Sequence, residues 1–216
     1  MCFTIKQTKE DKIIEKRFGA EKKYNVPFDL AENISGFTFP LTQVISNVEP
    51  TAIQLFNWGL IPGWSKDESI REYTLNARIE TIKEKPSFKN CIDNRCLIIV
   101  DGFYEWQWLT KSGSKKQKYL ITLPDNNLFA FAGLWSTWKD EATGITKDTY
   151  TIVTTEANEL MSEIHNNKKR MPIILNPNQE QAWLSGEEIN EFRTPIVDLL
   201  ATPINTEPKL LTLFDL

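Results

Sequence analysis

Cys2 directly follows the initiator methionine. Once Met1 is trimmed, the chain begins with an α-amine and a thiol on adjacent carbons. The amine of such a 1,2-aminothiol condenses with an aldehyde to a Schiff base. The thiolate then closes a five-membered thiazolidine ring. Both groups titrate near neutrality, the amine at about 7.7–8.0 and the thiol at about 8.5. A cation such as Arg78 beside the thiol is expected to raise its thiolate share.

Other residues suit the same chemistry. His165 is the single histidine, at the end of an expected helix and ahead of Lys168, Lys169 and Arg170. Nearby cations lower its pKa and a helix C-terminus raises it. It is either a packing histidine or a neutral imidazole for proton transfer. Glu105 lies between Tyr104 and Trp106. It is either a solvent-facing glutamate or a desolvated carboxyl, raised in pKa and fit for acid–base work. Asn76, Arg78 and Glu80 alternate, and an extended segment would place them on one face, with Asn76 and Arg78 as donors for a phosphate or sugar or all three as a salt-bridge cluster. Trp58 is expected in the core. Trp64 follows Pro62-Gly63 in a loop and suits base stacking. Cys91 and Cys96 lack partners for a zinc site and are read as buried thiols, so no metal and no cofactor are expected.

Elements must position these residues. The 216-residue chain reads as one domain over 1–216, with no repeat and no linker. A helix is expected at Lys9–Phe18, stopped by Gly19. Strands are expected at Ile53–Trp58, Cys96–Val100, Phe103–Trp108, Tyr119–Leu123, Leu128–Trp135 and Thr149–Thr154. In Phe103–Trp108, Phe103, Glu105 and Gln107 share one face, and Tyr104, Trp106 and Trp108 the other. A helix follows over Glu156–His165. Another opens at Asn176, with Pro177 first and Gln179 completing a capping box. Lys111–Lys118 reads as a solvated hairpin tip. The fold class is α+β: a single domain with a mostly antiparallel, barrel-like sheet body and flanking helices.

Composition excludes several classes. The net charge is −4, with seven Trp and twelve Phe. The whole-molecule field therefore does not draw in nucleic acid, and any such binding must use a local basic strip with aromatic neighbours. No apolar run approaches the roughly 20 residues that span a bilayer. Charges at Lys6, Lys9, Glu10 and Asp11 precede any apolar stretch, which speaks against a signal peptide. Three cysteines argue against a disulfide framework, and the expected location is the cytoplasm. There is no phosphate-cradling glycine loop and no GxSxG elbow.

Taken together, the segments resemble the SRAP family, the SOS-response-associated peptidase-like proteins that process abasic sites in DNA. The resemblance rests on Met1-Cys2, Trp58–Trp64 (WGLIPGW), Asn76–Thr81 (NARIET), Arg95–Trp106 (RCLIIVDGFYEW), Phe131–Trp135 (FAGLW), Thr154–Asn158 (TTEAN), Ile164-His165 and Arg170–Leu175 (RMPIIL), in that order. It implies that Cys2 crosslinks to the ring-opened aldehyde of an abasic site. It implies that Asn76 and Arg78 hold the terminus and the lesion's phosphate, that Glu105 assists Schiff-base formation and closure, and that His165 handles protons. Trp64, Pro40 and Thr154 would line a single-strand channel, with Lys168, Lys169 and Arg170 as a basic strip. The implied partner is single-stranded DNA with abasic sites. The protein is expected to be a monomer, joining the bacterial nucleoid when bound to damage. Room is left for AP-lyase activity, and Met1 removal would account for the peptidase label. Two departures stand out. Phe3 and Thr4 occupy the usual Gly-Arg positions, leaving Lys6 or the Lys168–Arg170 strip to contact phosphate. Four residues, Asn166–Lys169, separate His165 from Arg170 where the family pattern is tighter. A cysteine peptidase acting in trans and a non-catalytic single-strand-binding module are the alternatives.

Overall fold

The apolar run at Cys96–Val100 becomes the centre of the molecule. In this computed structural model, which describes residues 1–26 and 28–204, every residue of the strand Arg95–Val100 is buried. Its side chains alternate between two cores. Cys96, Ile98 and Val100 join Cys2, Trp58, Phe103, Phe131 and Tyr150. Leu97 and Ile99 join Ile14, Ala130, Leu134 and Trp183. A strand buried on both faces must be apolar throughout, because each such side chain contributes about 1.5–3 kcal/mol by leaving water.

In chain order the strands are β1 (Thr4–Gln7), β2 (Glu21–Lys22), β3 (Ala31–Ser35), β4 (Leu41–Ser46), β5 (Ala52–Trp58), β6 (Asn76–Arg78), β7 (Arg95–Val100), β8 (Gly102–Trp108), β9 (Lys116–Thr122), β10 (Phe129–Lys139), β11 (Thr146–Glu156), β12 (Arg170–Pro172), β13 (Ile174–Leu175) and β14 (Leu200–Ile204). The helices are α1 (Asp11–Phe18), α2 (Glu159–Ile164) and α3 (Pro177–Leu184). One sheet runs β14-β9-β8-β1-β3, and the other runs β12-β11-β10-β7-β4-β5-β2. β5 also pairs in parallel with β11, through Asn57↔Thr149 and Trp58↔Tyr150. The path β11-β10-β7-β4-β5 therefore closes on itself, which removes its edges. The fold is α+β with a barrel-like, mostly antiparallel body, as the strand pattern implies.

Close packing at the barrel depends on Gly133, opposite Cys96 in the β7–β10 ladder. A Cβ there would stand 2.8 Å from Cys96 Sγ and would collide with Ile98 Cδ1. Trp183, from α3, donates its indole N–H to the Cys96 and Gly133 carbonyls, each at 3.2 Å. Asn176 and Gln179 form the expected capping box at the start of α3.

The structure shifts some boundaries. α1 starts at Asp11 and ends at Gly19, whose left-handed φ of 62° lets its N–H reach the Glu15 carbonyl. α2 starts at Glu159, later than the apolar periodicity suggests. β11 continues to Glu156, paired with Arg170, and the Asn158 side chain caps the helix by accepting from the Met161 N–H at 2.9 Å. Glu80 lies beyond the end of β6, in a turn, so Asn76, Arg78 and Glu80 do not share one strand face.

Candidate active site

β1 carries the N-terminus into the site. It pairs antiparallel with β8 through Ile5↔Phe103 and Lys6↔Gly102, and with β3 on its other side. That register, continued, leads the terminus past Glu105. Beyond Phe103, β8 is no longer paired with β1. A cleft of ≈ 370 Å³ lies there, lined by Met1, Phe3, Glu105, Trp106, Trp108, Lys116, His165, Asn167 and Lys168. Residues from both faces of β8 border it because it follows a strand edge.

α2 delivers His165, and β8 clamps the loop behind it. Asn166 exchanges two hydrogen bonds with the Trp108 backbone, accepting from its N–H at 3.0 Å and donating to its carbonyl at 2.9 Å. Gln107 donates to the Glu163 carbonyl at 3.1 Å. The four residues after His165 thus form a fastening, with Lys169 in the left-handed region at φ 48°.

The Met1 α-amine lies 2.9 Å from His165 Nε2, 3.1 Å from Nδ1 and 3.5 Å from Glu105 Oε1. Nδ1 is also 2.7 Å from the Arg170 carbonyl. The Arg170 N–H lies 3.3 Å from the same nitrogen; the shorter contact, to a carbonyl that only accepts, places the proton on Nδ1 and leaves the ring's free lone pair on Nε2, with the amine within 3.1 Å of both nitrogens. Burial, followed by the adjacent terminal charge, lowers the His165 pKa to about 4. The imidazole is therefore neutral at pH 7, and burial outweighs the helix terminus as a cause. Burial pushes Glu105 up to about 7, with the terminal ammonium opposing. Glu105 is 4% exposed, which excludes the solvent-facing reading. Burial also lowers the amine's own pKa, so Glu105 and the amine each lean toward their neutral forms.

Asn76 holds the other side of the terminus, donating to the Cys2 carbonyl at 2.8 Å. Two buried acceptors, Asn76 Oδ1 and Glu105 Oε1, have no hydrogen-bond partner. The Cys2 thiol is fully buried and lies 3.7 Å from the Thr4 carbonyl. Desolvation first, and Glu105 second, push its pKa well up. The expected help from Arg78 is absent. Arg78 is exposed at the end of β6 and is not among the groups that shift the thiol.

The proposed DNA-contact residues separate into two groups. Trp64 is 56% exposed, with its indole N–H 3.4 Å from the Pro86 carbonyl. Arg78, Lys168 and Lys169 are exposed, and Pro40 is half-buried. Thr154 and Arg170 lie inside the protein. Thr154 is fully buried and donates to the Ala77 carbonyl at 3.2 Å. Arg170 grips both Glu80 oxygens, at 2.7 and 2.9 Å, and donates to the Thr154 carbonyl at 2.8 Å. Lys6 is engaged by Glu32 at 3.4 Å and Asp101 at 3.8 Å. Of the substitutes for the missing arginine, only Lys168 and Lys169 remain outward.

Sequence reasoning did not place Phe3, Trp106, Trp108 or Lys116 at the site. The aromatic alternation in β8 was the available signal, but it says nothing about which strand edge is open. Among the described residues, no group of three or more His, Cys, Asp or Glu side chains could hold a metal ion. No helix among them is long and apolar enough to cross a membrane.

Residues 1–209 match the family model described as SOS response associated peptidase (SRAP). The chain belongs to the SRAP family. It is 40% identical over 180 residues to the abasic site processing protein YoqW of Bacillus subtilis, covering 81% of this chain and 75% of that one. It is 32% identical over 189 residues to the abasic site processing protein YMR114C of Saccharomyces cerevisiae, covering 85% of this chain and 47% of that one. A crystal structure of a protein from Bacteroides thetaiotaomicron superposes with a TM-score of 0.86 at 34% identity, covering 95% of this chain and 93% of that one. The SRAP match spans every residue of the site just described.

Proposed function

We propose that this SRAP protein captures abasic sites in single-stranded DNA as a thiazolidine on Cys2, after Met1 is removed. The observation that carries the reading is the position of the terminal amine, 2.9 Å from a neutral imidazole nitrogen and 3.5 Å from a carboxyl raised to about 7. A terminus held between a base and an acid is equipped for amine chemistry.

Met1 lines the cleft, so its loss opens the cleft floor toward Cys2. Asn76 Oδ1 and Glu105 Oε1, buried acceptors of the site without hydrogen-bond partners, are available to the new α-amine. Burial favours its neutral form, as it does for the Met1 amine. The amine attacks C1′ of the ring-opened deoxyribose. Protonated Glu105 gives its proton to the departing hydroxyl, which leaves as water, and an iminium remains. The thiol passes its proton to the Glu105 carboxylate, and sulfur bonds to C1′. The balance is one amine, one thiol and one aldehyde giving one thiazolidine and one water. His165 Nε2 accepts the proton an ammonium must shed. From the open iminium, the same lone pair can take a C2′ proton and expel the 3′-phosphate, which is strand scission. Arg78 and Lys168 are placed to contact phosphates, and Trp64 to stack a base.

With Met1 in place the Cys2 thiol is fully buried, so the unprocessed chain offers no nucleophile to a peptide of another chain. The test is a denaturing gel of protein with single-stranded DNA bearing one abasic site, beside intact-mass analysis of the terminus. Wild type lacking Met1 should give a stable adduct, and Cys2→Ala should give none. A stable adduct with Cys2→Ala, or none with processed wild type, overturns the mechanism.

A further inference from the structure

The residue after Cys2 brings an aromatic ring to the site. Phe3 lines the cleft. Its ring stacks on Phe37, with centroids 4.9 Å apart and planes inclined at 26°. Phe37 is 62% exposed. The pair is fixed from the backbone: the Gly36 N–H donates to the Phe3 carbonyl at 2.9 Å. Gly36 is itself seated against the Trp58 ring, where an added Cβ would stand 3.1 Å from the nearest atoms. Phe37 thus extends the aromatic surface outward from Phe3, a residue of the cleft wall, and keeps most of its own surface in solvent.

The surroundings identify the occupant. The same cleft is lined by Trp106, 41% exposed, and Trp108, with Lys116 Nζ 5.2 Å from the Trp108 ring centroid. Lys116 and Lys168 border the same cleft, and both are exposed. Aromatic faces interleaved with lysines, on a protein of net charge −4, suit the bases and phosphates of a single strand. The two cations nearest in sequence to taking over a phosphate contact, Lys6 and Arg170, are engaged by carboxylates.

We propose that the Phe3–Phe37 pair is a base-stacking platform for a nucleotide flanking the lesion. The inference rests on the single-stranded-DNA reading above and adds a specificity element to it. Binding through this platform is insensitive to base identity, because every base has a π-face, and to salt, because no counterion is released.

The experiment is a two-by-two cycle. One partner is the protein, wild type or Phe37→Ala. The other is an oligonucleotide carrying a non-reactive tetrahydrofuran lesion, flanked by ordinary nucleotides or by further base-less spacers. Wild type should bind the oligonucleotide with flanking bases roughly tenfold more tightly, the scale of one stack. Phe37→Ala should lose most of that preference, leaving what Trp64 contributes, and keep the wild-type dependence of log Kd on log salt. Phe37→Trp should restore the preference. Lys168→Ala should reduce the salt slope and keep the preference. Equal affinities of wild type and Phe37→Ala for the base-flanked oligonucleotide overturn the platform. A wild-type protein that shows the preference but forms no adduct with a natural abasic site overturns the Cys2 mechanism alone. Absence of any single-strand binding overturns both.

Discussion

Arg170 holds two site elements at once: its carbonyl accepts the His165 Nδ1 proton at 2.7 Å, and its guanidinium grips Glu80 at 2.7 and 2.9 Å. The Glu80–Arg170 ion pair thereby anchors the residue whose carbonyl orients the imidazole beside the terminus. Glu80→Gln should leave a nearly buried guanidinium without its countercharge. A fully buried pair broken this way costs about 3–5 kcal/mol. Glu80 keeps 31% of its side-chain surface in solvent, so a loss of about 2 kcal/mol is expected in denaturant melts. Adduct formation should slow as well, through the loosened His165.

Opposed pH dependences should appear when two of the site's titrating groups, Glu105 and His165, are separated. Glu105 has a folded pKa of about 7 against an ordinary 4.5, so the folded state binds more protons between those values. Its contribution favours the fold below that window and is lost as pH rises through it. His165, at about 4 against 6.5, works the other way: its contribution is present above 6.5 and lost as pH falls toward 4. The two largely cancel in wild type. His165→Gln should therefore show a melting temperature that falls from about pH 4.5 to 7. Glu105→Gln should show one that rises from about pH 4 to 6.5. Melts in a buffer series check both.

Glu105→Gln should also slow adduct formation by about a hundredfold, the low end for a lost acid–base group. Binding to undamaged single strands should stay near wild type. Equal adduct rates would remove the carboxyl from the chemistry.

Asn76→Ala deletes the 2.8 Å bond to the Cys2 carbonyl. A stability loss of about 1 kcal/mol is expected. The larger effect should be kinetic, since an untethered terminus visits the His165–Glu105 gap less often. Single-turnover adduct rates at saturating DNA isolate that effect from affinity.

Gly133→Ala tests the barrel rather than the site. The added methyl has to displace Cys96 Sγ and Ile98 Cδ1. Overpacking of this kind costs about 1–3 kcal/mol, or several degrees in the melting temperature.

Strand and helix identities were legible where one side-chain period dominates. Cys96–Val100 reads as a strand buried on both faces because nothing polar interrupts it. Asn176, Pro177 and Gln179 announce α3 through hydrogen bonds that are local in sequence. The site was legible mainly through its motifs, and its details were not. That Glu105 is buried and not solvated depends on β1 and α2 covering β8, which is a long-range matter. Arg170 and Thr154 read as surface residues because a basic run looks solvated until Glu80 is brought across from the turn after β6. Phe3 could be seen to depart from the family pattern, but its stacking on Phe37 spans 34 positions of chain.

The depth of Cys2 bears on how long the protein stays usable. A reagent that bonds to its target through one sulfur is spent by a single wrong encounter. Peroxides and disulfides react with accessible thiolates, and Cys2 combines full burial with a thiol pushed well above its ordinary pKa. The intact chain keeps its sulfur in storage, out of reach of the oxidants that accompany DNA damage, until the terminus is opened. Alkylation by iodoacetamide, timed before and after Met1 removal, would measure that shelf life directly.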